Sequence, residues 1–237
     1  MILAGGLATR MRPRTLTVPK AMLEVAGRPF VDWQLERLAR CKIDDVVFCI
    51  GHLGEQIRAH VGDGRGWGLS VRYSEEGPKL LGTAGALRAA LPLLEPIFVV
   101  TYGDSYLPFD YAALLDELGA REDCDGVMSV YKNEGKWDGS NVRVAHDASG
   151  VWVGAYEKGT TDPAFDHIDY GALALRRSVV GALPEGEILS LASVQSDLAA
   201  RHRLRAHVAP HRFYEIGSPE GLAALEGYLA TERGAVR

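Results

Sequence analysis

Helical and strand-like segments alternate through the first half of the chain, and this alternation is the feature that most constrains the fold. Amphipathic stretches alternate with short runs rich in β-branched and aromatic residues. The predicted helices are 31–41, 54–61 and 83–94, and the predicted strands are 45–50, 69–73 and 97–104. This order predicts an α/β fold with a doubly wound, mostly parallel (Rossmann-like) sheet and helices on both faces. Ligands of such sheets bind beyond the carboxyl ends of the strands.

The pattern changes after about residue 125, where strand-like runs follow one another with few helices between them. Alternating runs on either side of Asp147 to Gly150 predict a hairpin. A helix is predicted around 190–201, a strand follows at 204–209, and Ser218 is placed to begin a C-terminal helix. We therefore expect a single domain over 1–237, in which the second half, 125–237, adds a small β-rich extension to the first half, 1–124.

Composition argues against several classes of function. The net charge of −5 and the pI near 5.8 give no overall attraction to nucleic acid or to an anionic membrane. No apolar run approaches the roughly 18 residues that a membrane span needs. The three cysteines lack CxxC spacing and the histidines lack HxxH or HExxH spacing, which argues against a disulfide framework, structural zinc and imidazole-bound metal. We expect a cytoplasmic monomer or homodimer with no nucleic-acid or membrane partner.

The opening segment, MILAGGLATRMRPRTLTVPK, combines a glycine pair with a cluster of cations. Only Met1, Ile2 and Leu3 precede the loop, so the first strand is expected to be short. Gly5 and Gly6 lack a Cβ, which lets successive backbone N–H groups face an anion. The loop also carries Arg10, Arg12, Arg14 and Lys20, stiffened by Pro13 and Pro19. The alternative is a solvated charged loop; the segment matches neither the ATPase phosphate loop nor the dinucleotide fingerprint.

A longer pattern, GGxATRMRPxTxxxPKxMxxVxGxP, extends from Gly5 to Pro29. With LGTAGAL at 81–87, YGD at 102–104, EK at 157–158 and FYEIGSPEGL near the C-terminus, it resembles the signature of the sugar-1-phosphate nucleotidyltransferases, the nucleotide-sugar pyrophosphorylases. The resemblance covers nearly the whole chain and includes short bacterial heptose- or mannose-1-phosphate guanylyltransferases and N-acetylmuramate-1-phosphate uridylyltransferases. It implies a transferase of the EC 2.7.7 type that makes an NDP-sugar and pyrophosphate from an NTP and a hexose or heptose 1-phosphate.

That reaction would supply precursors of cell-surface polysaccharide, with 1–124 as the nucleotide-binding half and 125–237 as the sugar-binding half. For the nucleotide, the resemblance implies a triphosphate cradle formed by Leu3, Ala4, Gly5, Gly6, Thr9 and Arg10. It also implies that Arg10 and Lys20 are catalytic and neutralise charge around the α-phosphorus. Because the sugar phosphate is already an anionic nucleophile, no general base is needed, and catalysis consists of alignment and charge stabilisation.

Asp104 follows a predicted strand in VVTYGD, where a carboxylate suits Mg²⁺ or, alternatively, caps a turn. The resemblance implies that Asp104 is a catalytic residue and a ligand of Mg²⁺. In the family a second Asp, in a pattern close to DxG[ST]PE, completes the metal site. Here the run is EIGSPE, so Glu215 takes that place and would reach the ion with a side chain one methylene longer. The alternative role of Glu215 is a surface carboxylate before a helix.

For the sugar phosphate, the resemblance implies contacts from Tyr102, Asn141, Glu157, Lys158, Asp169 and Gly171. Glu157 would accept hydroxyl hydrogens and Lys158 would bind phosphate, with a surface charge pair as the alternative. Many relatives carry NxG where this chain has Asp169-Tyr170-Gly171. A carboxylate there accepts hydrogen bonds from hydroxyls and disfavours acidic sugars. Tyr170 is alternatively a core residue.

For the base, the resemblance implies contacts from Glu75, Gly82 and Thr83, which lie before and at the start of the GTAGAL helix. Thr83 is expected as the N-cap of that helix and Gly82 as a site of close approach; capping alone would also explain both residues. YGDSYLP and IDYG favour GTP over UTP.

Two other functions stay open at this stage. A cytidylyltransferase acting on phosphocholine or a phosphonate would share the N-terminal loop, and its cationic substrate would call for an aromatic cage, for which Trp137, Trp152 and Tyr170 are available. A non-catalytic subunit that binds nucleotide sugar would not require Arg10, Lys20 and Asp104 together.

Overall fold

The computed structural model describes residues 1–77 and 79–235, without the side chains of 10 and 233–235. Its strands are β1 (Ile2–Ala4), β2 (Glu24–Val25), β3 (Arg28–Pro29), β4 (Asp45–Ile50), β5 (Ser70–Glu75), β6 (Ile97–Tyr102), β7 (Ser105–Tyr106), β8 (Gly126–Lys132), β9 (Val142–Asp147), β10 (Gly150–Tyr156), β11 (His167–Arg176), β12 (Leu204–Val208) and β13 (Tyr214–Glu215). Its α-helices are α1 (Phe30–Arg40), α2 (Gly54–Val61), α3 (Gly82–Ala89), α4 (Ala112–Gly119), α5 (Arg177–Gly181), α6 (Leu191–Ala200) and α7 (Pro219–Ala235).

The chain forms two compact units, each assembled from separate segments. The first unit comprises Met1–Leu80, Tyr102–Pro108 and Phe213–Arg237, and the second comprises Leu81–Thr101 and Phe109–Arg212. The units interleave along the sequence rather than dividing at residue 124. The single domain expected over 1–237 stays a prediction.

In the first unit, β5, β4 and β1 form a parallel sheet in that order. Ala4 pairs with Ile50, and Ile50 pairs with Glu75, so the three strands end at one edge. β1 has three residues, as expected, because the loop begins at Gly5. A separate antiparallel ladder joins β7 to β13, with Glu215 opposite Ser105.

A hydrophobic cluster in the first unit holds the opening loop, α1 and α7 together. The apolar side of α1 supplies Phe30 and Trp33, and α7 supplies Leu225 and Leu229. The remaining buried members of the cluster are Met11, Leu23, Val25, Tyr106 and Ile216. Because Tyr106 lies in β7 and Ile216 follows β13, the cluster also supports the short β7–β13 ladder.

The second unit contains a mixed sheet. Its strands follow the order β6, β11, β8, β12, β10, β9. β11 runs antiparallel to β6 and β8, whereas β12 runs parallel to β8. The hairpin predicted at Asp147 to Gly150 is confirmed: β9 and β10 are antiparallel, and Asp147 Oδ1 accepts hydrogen bonds from Ser149 N at 2.7 Å and Gly150 N at 3.2 Å. The α/β fold is confirmed, but its strand pairings are mixed rather than mostly parallel. β4 is parallel to β1 and β5 in the first unit, whereas the second unit combines the parallel β12–β8 pair with antiparallel pairs of β11 and β10.

Two predicted elements end earlier than their sequence patterns. The helix expected over 83–94 ends at Ala89, and a separate 3₁₀ turn at Leu91–Leu93 contains Pro92. The strand expected over 97–104 ends at Tyr102, because the chain turns at Gly103 and Asp104 before β7. The C-terminal helix begins as predicted, since Ser218 Oγ accepts a hydrogen bond from Gly221 N at 3.0 Å just before α7.

Among the described residues, no helix has the length and apolar character required to cross a membrane. Cys41, Cys49 and Cys124 are all buried and form no disulfide. Burial raises the pKa of the Cys49 thiol to about 12.

Candidate functional site

The glycine loop begins at the carboxyl edge of the first unit's parallel sheet, where backbones approach closely. A Cβ on Gly51 would lie 2.9 Å from the carbonyl oxygen of Gly5, and a Cβ on Gly5 would collide with the carboxylate of Glu76. A Cβ on Gly6 would meet nothing within 4 Å. Close approach of the two backbones therefore requires glycine at position 51, and a side chain at position 5 would displace Glu76, whereas the space beside Gly6 is open to a ligand.

The predicted triphosphate residues follow one another along this loop. Leu3 and Ala4 end β1, and Thr9 begins the 3₁₀ turn Thr9–Met11. The side chain of Arg10, which is predicted to act at the α-phosphorus, lies outside the described residues. Its catalytic role stays a prediction.

Lys20 and Asp104 form an ion pair in the first unit. Lys20 Nζ lies 2.7 Å from Asp104 Oδ2, and the two side chains are 16% and 29% exposed. Lys20 begins the 3₁₀ turn Lys20–Met22, directly after the extended backbone of Pro19. The structure thus brings together two residues that are 84 positions apart in sequence and that were both predicted to be catalytic.

Three neighbouring elements hold the turn that carries Asp104. Gly103 N donates to Leu3 O at 2.8 Å, and Ile216 N donates to Asp104 O at 3.0 Å. On the third side, Gln34 Nε2 donates to Tyr102 O and to Ser105 O, each at 2.8 Å. The role of Gln34 was not predicted. The sequence does contain a signal for it, because Gln34 is a polar residue at helical spacing between the apolar Phe30 and Leu38.

Glu215 lies beside this turn, as predicted. It pairs with Ser105 in the β7–β13 ladder, so its neighbour Ile216 contacts the backbone of Asp104. Its own carboxylate accepts hydrogen bonds from Gly217 N at 2.5 Å and from Ser218 Oγ at 3.1 Å. A Cβ on Gly217 would collide with Glu215 Oε2 and would lie 3.5 Å from Lys20 Nζ. The lysine and both carboxylates therefore lie within one small region.

This region fits the ligand chemistry of Mg²⁺. Asp104 and Glu215 supply hard carboxylate oxygens from adjacent chain segments. Among the described residues, no group of three His, Cys, Asp or Glu side chains is arranged to hold a metal ion. Mg²⁺ sites commonly use one or two carboxylates and take their other ligands from substrate phosphates and water. The residues present therefore fit an ion that arrives with a nucleotide.

Of the predicted base-contacting residues, Glu75 ends β5 and forms an ion pair with Arg58. Arg58 Nη2 lies 2.5 Å from Glu75 Oε1, and its guanidinium lies 4.9 Å from the centre of the Tyr73 ring. The carboxylate of the next residue, Glu76, reaches Gly5 of the glycine loop. Contact of Glu75 with a base stays a prediction.

The start of α3 is held by the segment before α6 within the second unit. The N-cap of α3 is Leu81, so the prediction that Thr83 is the N-cap is wrong. Thr83 Oγ1 instead accepts a hydrogen bond from Leu191 N at 2.7 Å. A Cβ on Gly82 would lie 2.5 Å from Leu189 O, which also accepts a hydrogen bond from Ala84 N at 3.0 Å. Both predicted base residues therefore have a structural role here, and their contact with a base stays a prediction.

Three of the predicted sugar residues, Asn141, Asp169 and Gly171, form one hydrogen-bonded group in the second unit. Asp169 N donates to Asn141 Oδ1 at 2.8 Å, and Gly171 N donates to Asp169 Oδ1 at 2.9 Å. Gln195 Nε2 on α6 donates to Asp169 Oδ2 at 3.1 Å. Gln195 was not predicted. It is 1% exposed, and its Oε1 has no hydrogen-bond partner among the described residues.

The environment of Asp169 disfavours its charge. Burial raises the pKa of Asp169, and the donors on Gln195 and Gly171 together with the charge of Lys158 oppose that rise. Burial and the charge of Asp169 raise the pKa of the neighbouring Tyr156 phenol. A further negative charge placed beside Asp169 would raise its pKa further.

The other predicted sugar-site residues are more exposed. Glu157 and Lys158 directly follow β10 and are exposed, although Glu157 N donates to Asn141 O at 2.9 Å. Tyr102 is the last residue of β6 and belongs to the first unit, where its carbonyl accepts a hydrogen bond from Gln34 Nε2.

Tyr170 is 1% exposed and packs edge-on against Phe109, so its alternative role as a core residue is the one observed.

The aromatic residues considered for a cationic substrate are occupied by contacts within the protein. The Trp137 ring lies under the guanidinium of Arg212 at 3.6 Å, and the Tyr170 hydroxyl donates to the carbonyl oxygen of the same Arg212 at 3.4 Å. Trp152 stacks on His202 at 4.0 Å. Trp152 and Tyr170 are 2% and 1% exposed, so neither ring offers an open face to a cationic substrate.

Comparisons with known proteins agree on one family. The family model described as Nucleotidyl transferase matches residues 1–139. An N-acetylmuramate α-1-phosphate uridylyltransferase from Caulobacter vibrioides is 30% identical over 97% of this chain and 96% of that protein. A mannose-1-phosphate guanylyltransferase from Mycobacterium tuberculosis is 33% identical over 81% of this chain and 52% of that protein. The chain spans about half the length of the first two curated relatives that it matches, at 49% and 52%.

Solved structures share the fold. HddC from Yersinia pseudotuberculosis superposes with a TM-score of 0.75 at 23% identity, covering 96% of this chain and 97% of that one. At this identity the likeness concerns the fold, which agrees with the predicted α/β class.

Proposed function

The chain belongs to the nucleotidyl transferase family, and from this premise we propose that it is a sugar-1-phosphate nucleotidyltransferase. The substrates are an NTP and a sugar 1-phosphate, and the products are an NDP-sugar and pyrophosphate. The observation that carries the proposal is the Lys20–Asp104 ion pair at 2.7 Å beside Glu215. A cation and two carboxylates in one place suit a reaction in which anionic oxygens approach a phosphorus.

The proposed step is an in-line displacement. An oxygen of the sugar phosphate forms a bond to the α-phosphorus, and the bond from that phosphorus to the α,β-bridging oxygen breaks. The electron pair of the broken bond leaves with pyrophosphate. Because the nucleophile is already ionised, the protein needs no base, and its task is to align the reactants and to offset charge.

Lys20 is proposed to offset that charge. Its ammonium is largely shielded from solvent, where a charge interaction is stronger than in bulk water. Asp104 keeps the ammonium in place before substrate arrives, and an incoming phosphate would compete for the same cation. The backbone of the glycine loop, at open positions such as Gly6, would bind the triphosphate through N–H groups.

We propose that Asp104 and Glu215 hold Mg²⁺ when nucleotide is bound. The ion would supply a positive charge that draws electron density from the phosphate oxygens. The part of the protein is to present two carboxylates, and the hydrogen bonds from Gly217 and Ser218 fix the direction of Glu215.

The sugar is proposed to bind at Asp169 through its hydroxyl groups. Gly171 N and Gln195 Nε2 donate to the carboxylate and orient it, and Asn141 Oδ1 accepts from the backbone N–H of Asp169. The carboxylate keeps lone pairs for hydroxyl donors. This favours a neutral hexose or heptose 1-phosphate. For the donor we propose GTP or UTP: the sequence favours GTP, whereas a relative aligned with 97% of this chain is named a uridylyltransferase.

Incubation with each NTP and dTTP against a panel of acceptors tests the proposal. The panel contains neutral hexose and heptose 1-phosphates, N-acetylmuramate 1-phosphate and phosphocholine, with Mg²⁺ and pyrophosphatase, and phosphate release is measured. We expect release with at least one sugar 1-phosphate. Absence of release with every sugar phosphate would contradict the proposal, and release confined to CTP with phosphocholine would replace it.

A further inference from the structure

Gln34 occupies a buried position where a polar side chain has no evident packing purpose. It lies on the face of α1 that buries Phe30, Val31 and Leu38, and it is 4% exposed. Its Oε1 is buried and has no hydrogen-bond partner among the described residues. An apolar residue of the same shape would avoid that unmet acceptor. The value of an amide at this position therefore lies in the hydrogen bonds that its two N–H groups donate.

Both donors of Gln34 go to the turn that carries Asp104. They reach Tyr102 O and Ser105 O at 2.8 Å each, which are the carbonyls on either side of Gly103 and Asp104. The partners also fix the orientation of the amide, because two carbonyl oxygens can be satisfied only by the NH₂ group. One rigid side chain thus bridges the two ends of the turn.

Other contacts hold the middle of the turn. The Gly103 amide is held by Leu3, the Asp104 carbonyl by Ile216, and the Asp104 side chain by Lys20. A Cβ on Gly103 would lie 2.9 Å from Ala4 Cβ, so the turn also presses closely on β1. Without the bridge, the two carbonyls at the ends of the turn would lose their donors on the α1 side.

We propose that Gln34 is a positioning residue that fixes the Asp104 carboxylate beside Lys20 and Glu215. This inference rests on the proposed function and adds a residue to it. Gln34 acts through Asp104 and touches no reacting atom. A misplacement of about 1 Å at such a group can cost on the order of 10²-fold in rate.

Gln34→Met keeps the size of the side chain and removes both donors. If Gln34 positions Asp104, kcat falls about 10- to 100-fold while KM for both substrates changes little. The double variant Gln34→Met/Asp104→Asn should be no slower than Asp104→Asn alone, because both changes remove the same contribution. Leu38→Ala is the matched control: it creates a cavity one turn further along α1 and should lower thermal stability with kcat unchanged.

Amide hydrogen exchange gives a readout that does not need activity. In Gln34→Met the Gly103 and Ile216 amides should exchange at least about 10-fold faster than in the wild type, whereas in Leu38→Ala they should not. Unchanged protection of these amides, or a folded Gln34→Met enzyme with wild-type kcat, would overturn the inference. A wild type that turns over no sugar phosphate would contradict the proposed function instead, and the exchange rates would still decide whether Gln34 fixes the turn.

Discussion

Two carboxylates predicted to bind substrate or metal, one in each compact unit, have opposite surroundings. Asp104, in the first unit, is 29% exposed and lies 2.7 Å from the ammonium of Lys20. Asp169, in the second unit, receives neutral donors from Gly171 and Gln195, and burial raises its pKa. In the charged pair the Lys20 ammonium can bind a phosphate and the Asp104 carboxylate can bind a metal ion, whereas a buried carboxylate with neutral partners is suited to hydroxyl groups. Two aspartates with the same side chain are therefore suited to different chemistry because their surroundings differ.

The largest expected effect comes from breaking the charged pair. Lys20→Met and Asp104→Asn should each lower kcat by about 10³-fold. Lys20→Met removes the cation that offsets negative charge on the phosphate oxygens, and Asp104→Asn removes a carboxylate that is proposed to hold Mg²⁺. Steady-state phosphate release measures the loss, and circular dichroism checks the fold. The exposed Asp44→Asn and Lys42→Met are matched controls. Near-normal turnover in either Asp104→Asn or Lys20→Met would remove that residue from the site.

A smaller effect is expected at Glu215. Glu215→Gln keeps an oxygen for Gly217 N but loses the negative charge, so the Mg²⁺ concentration for half-maximal rate should rise about 10- to 100-fold. Glu215→Asp, which restores the acid found in relatives, should be less impaired than Glu215→Gln. Glu220→Gln in the first turn of α7 is the matched control. Full activity of Glu215→Gln at low Mg²⁺ would exclude Glu215 as a ligand.

The smallest expected effect on rate is that of Asp169→Asn. Loss of one charged acceptor should raise KM for a neutral sugar 1-phosphate about 10-fold, with KM for the NTP unchanged. An acidic acceptor such as N-acetylmuramate 1-phosphate should lose less, because the like charge is gone. Equal changes for both acceptors would contradict the role of Asp169 in sorting sugars.

The stability of Asp169→Asn relative to the wild type should increase as the pH rises. Because burial raises the folded-state pKa of Asp169, ionisation opposes folding: the contribution to stability is complete below the unfolded pKa of about 3.9 and is lost as pH rises through the folded pKa. An asparagine does not ionise, and Gln195 can turn its unpartnered Oε1 to accept from the new amide. The midpoint temperature of thermal unfolding should therefore be higher for Asp169→Asn than for the wild type at pH 7, and the difference should be smaller near pH 4. A difference in midpoint temperature that stays the same at both pH values would contradict this expectation.

Sequence patterns were reliable where motifs are long or periodicity is clear. Motifs with long spacing predicted that Lys20, Asp104 and Glu215 belong to one site, and the structure brings them together from three distant segments. The alternating pattern predicted α1 and β4 closely, because amphipathic helices and buried strands have clear periods.

Sequence reasoning failed where the partner of a group lies far along the chain. Thr83 has the residue type of an N-cap, but its hydroxyl meets Leu191, which no local pattern indicates. Glu76 reaches Gly5 of the glycine loop, and no local pattern indicates that contact. Gln34 donates to two distant carbonyls and Gln195 to one distant carboxylate, and a lone buried amide carries no motif.

The start of α3 depends on residues 187–191, and this dependence matters for protein engineering. Gly82 and Gly85 leave room for the backbone of Leu189 and Glu187, and Thr83 binds the amide of Leu191. A chimaera that exchanged the GTAGAL segment for that of a relative would separate it from the loop that shapes it. Transplanting both segments together, although about a hundred residues divide them, is the exchange that would preserve the helix start.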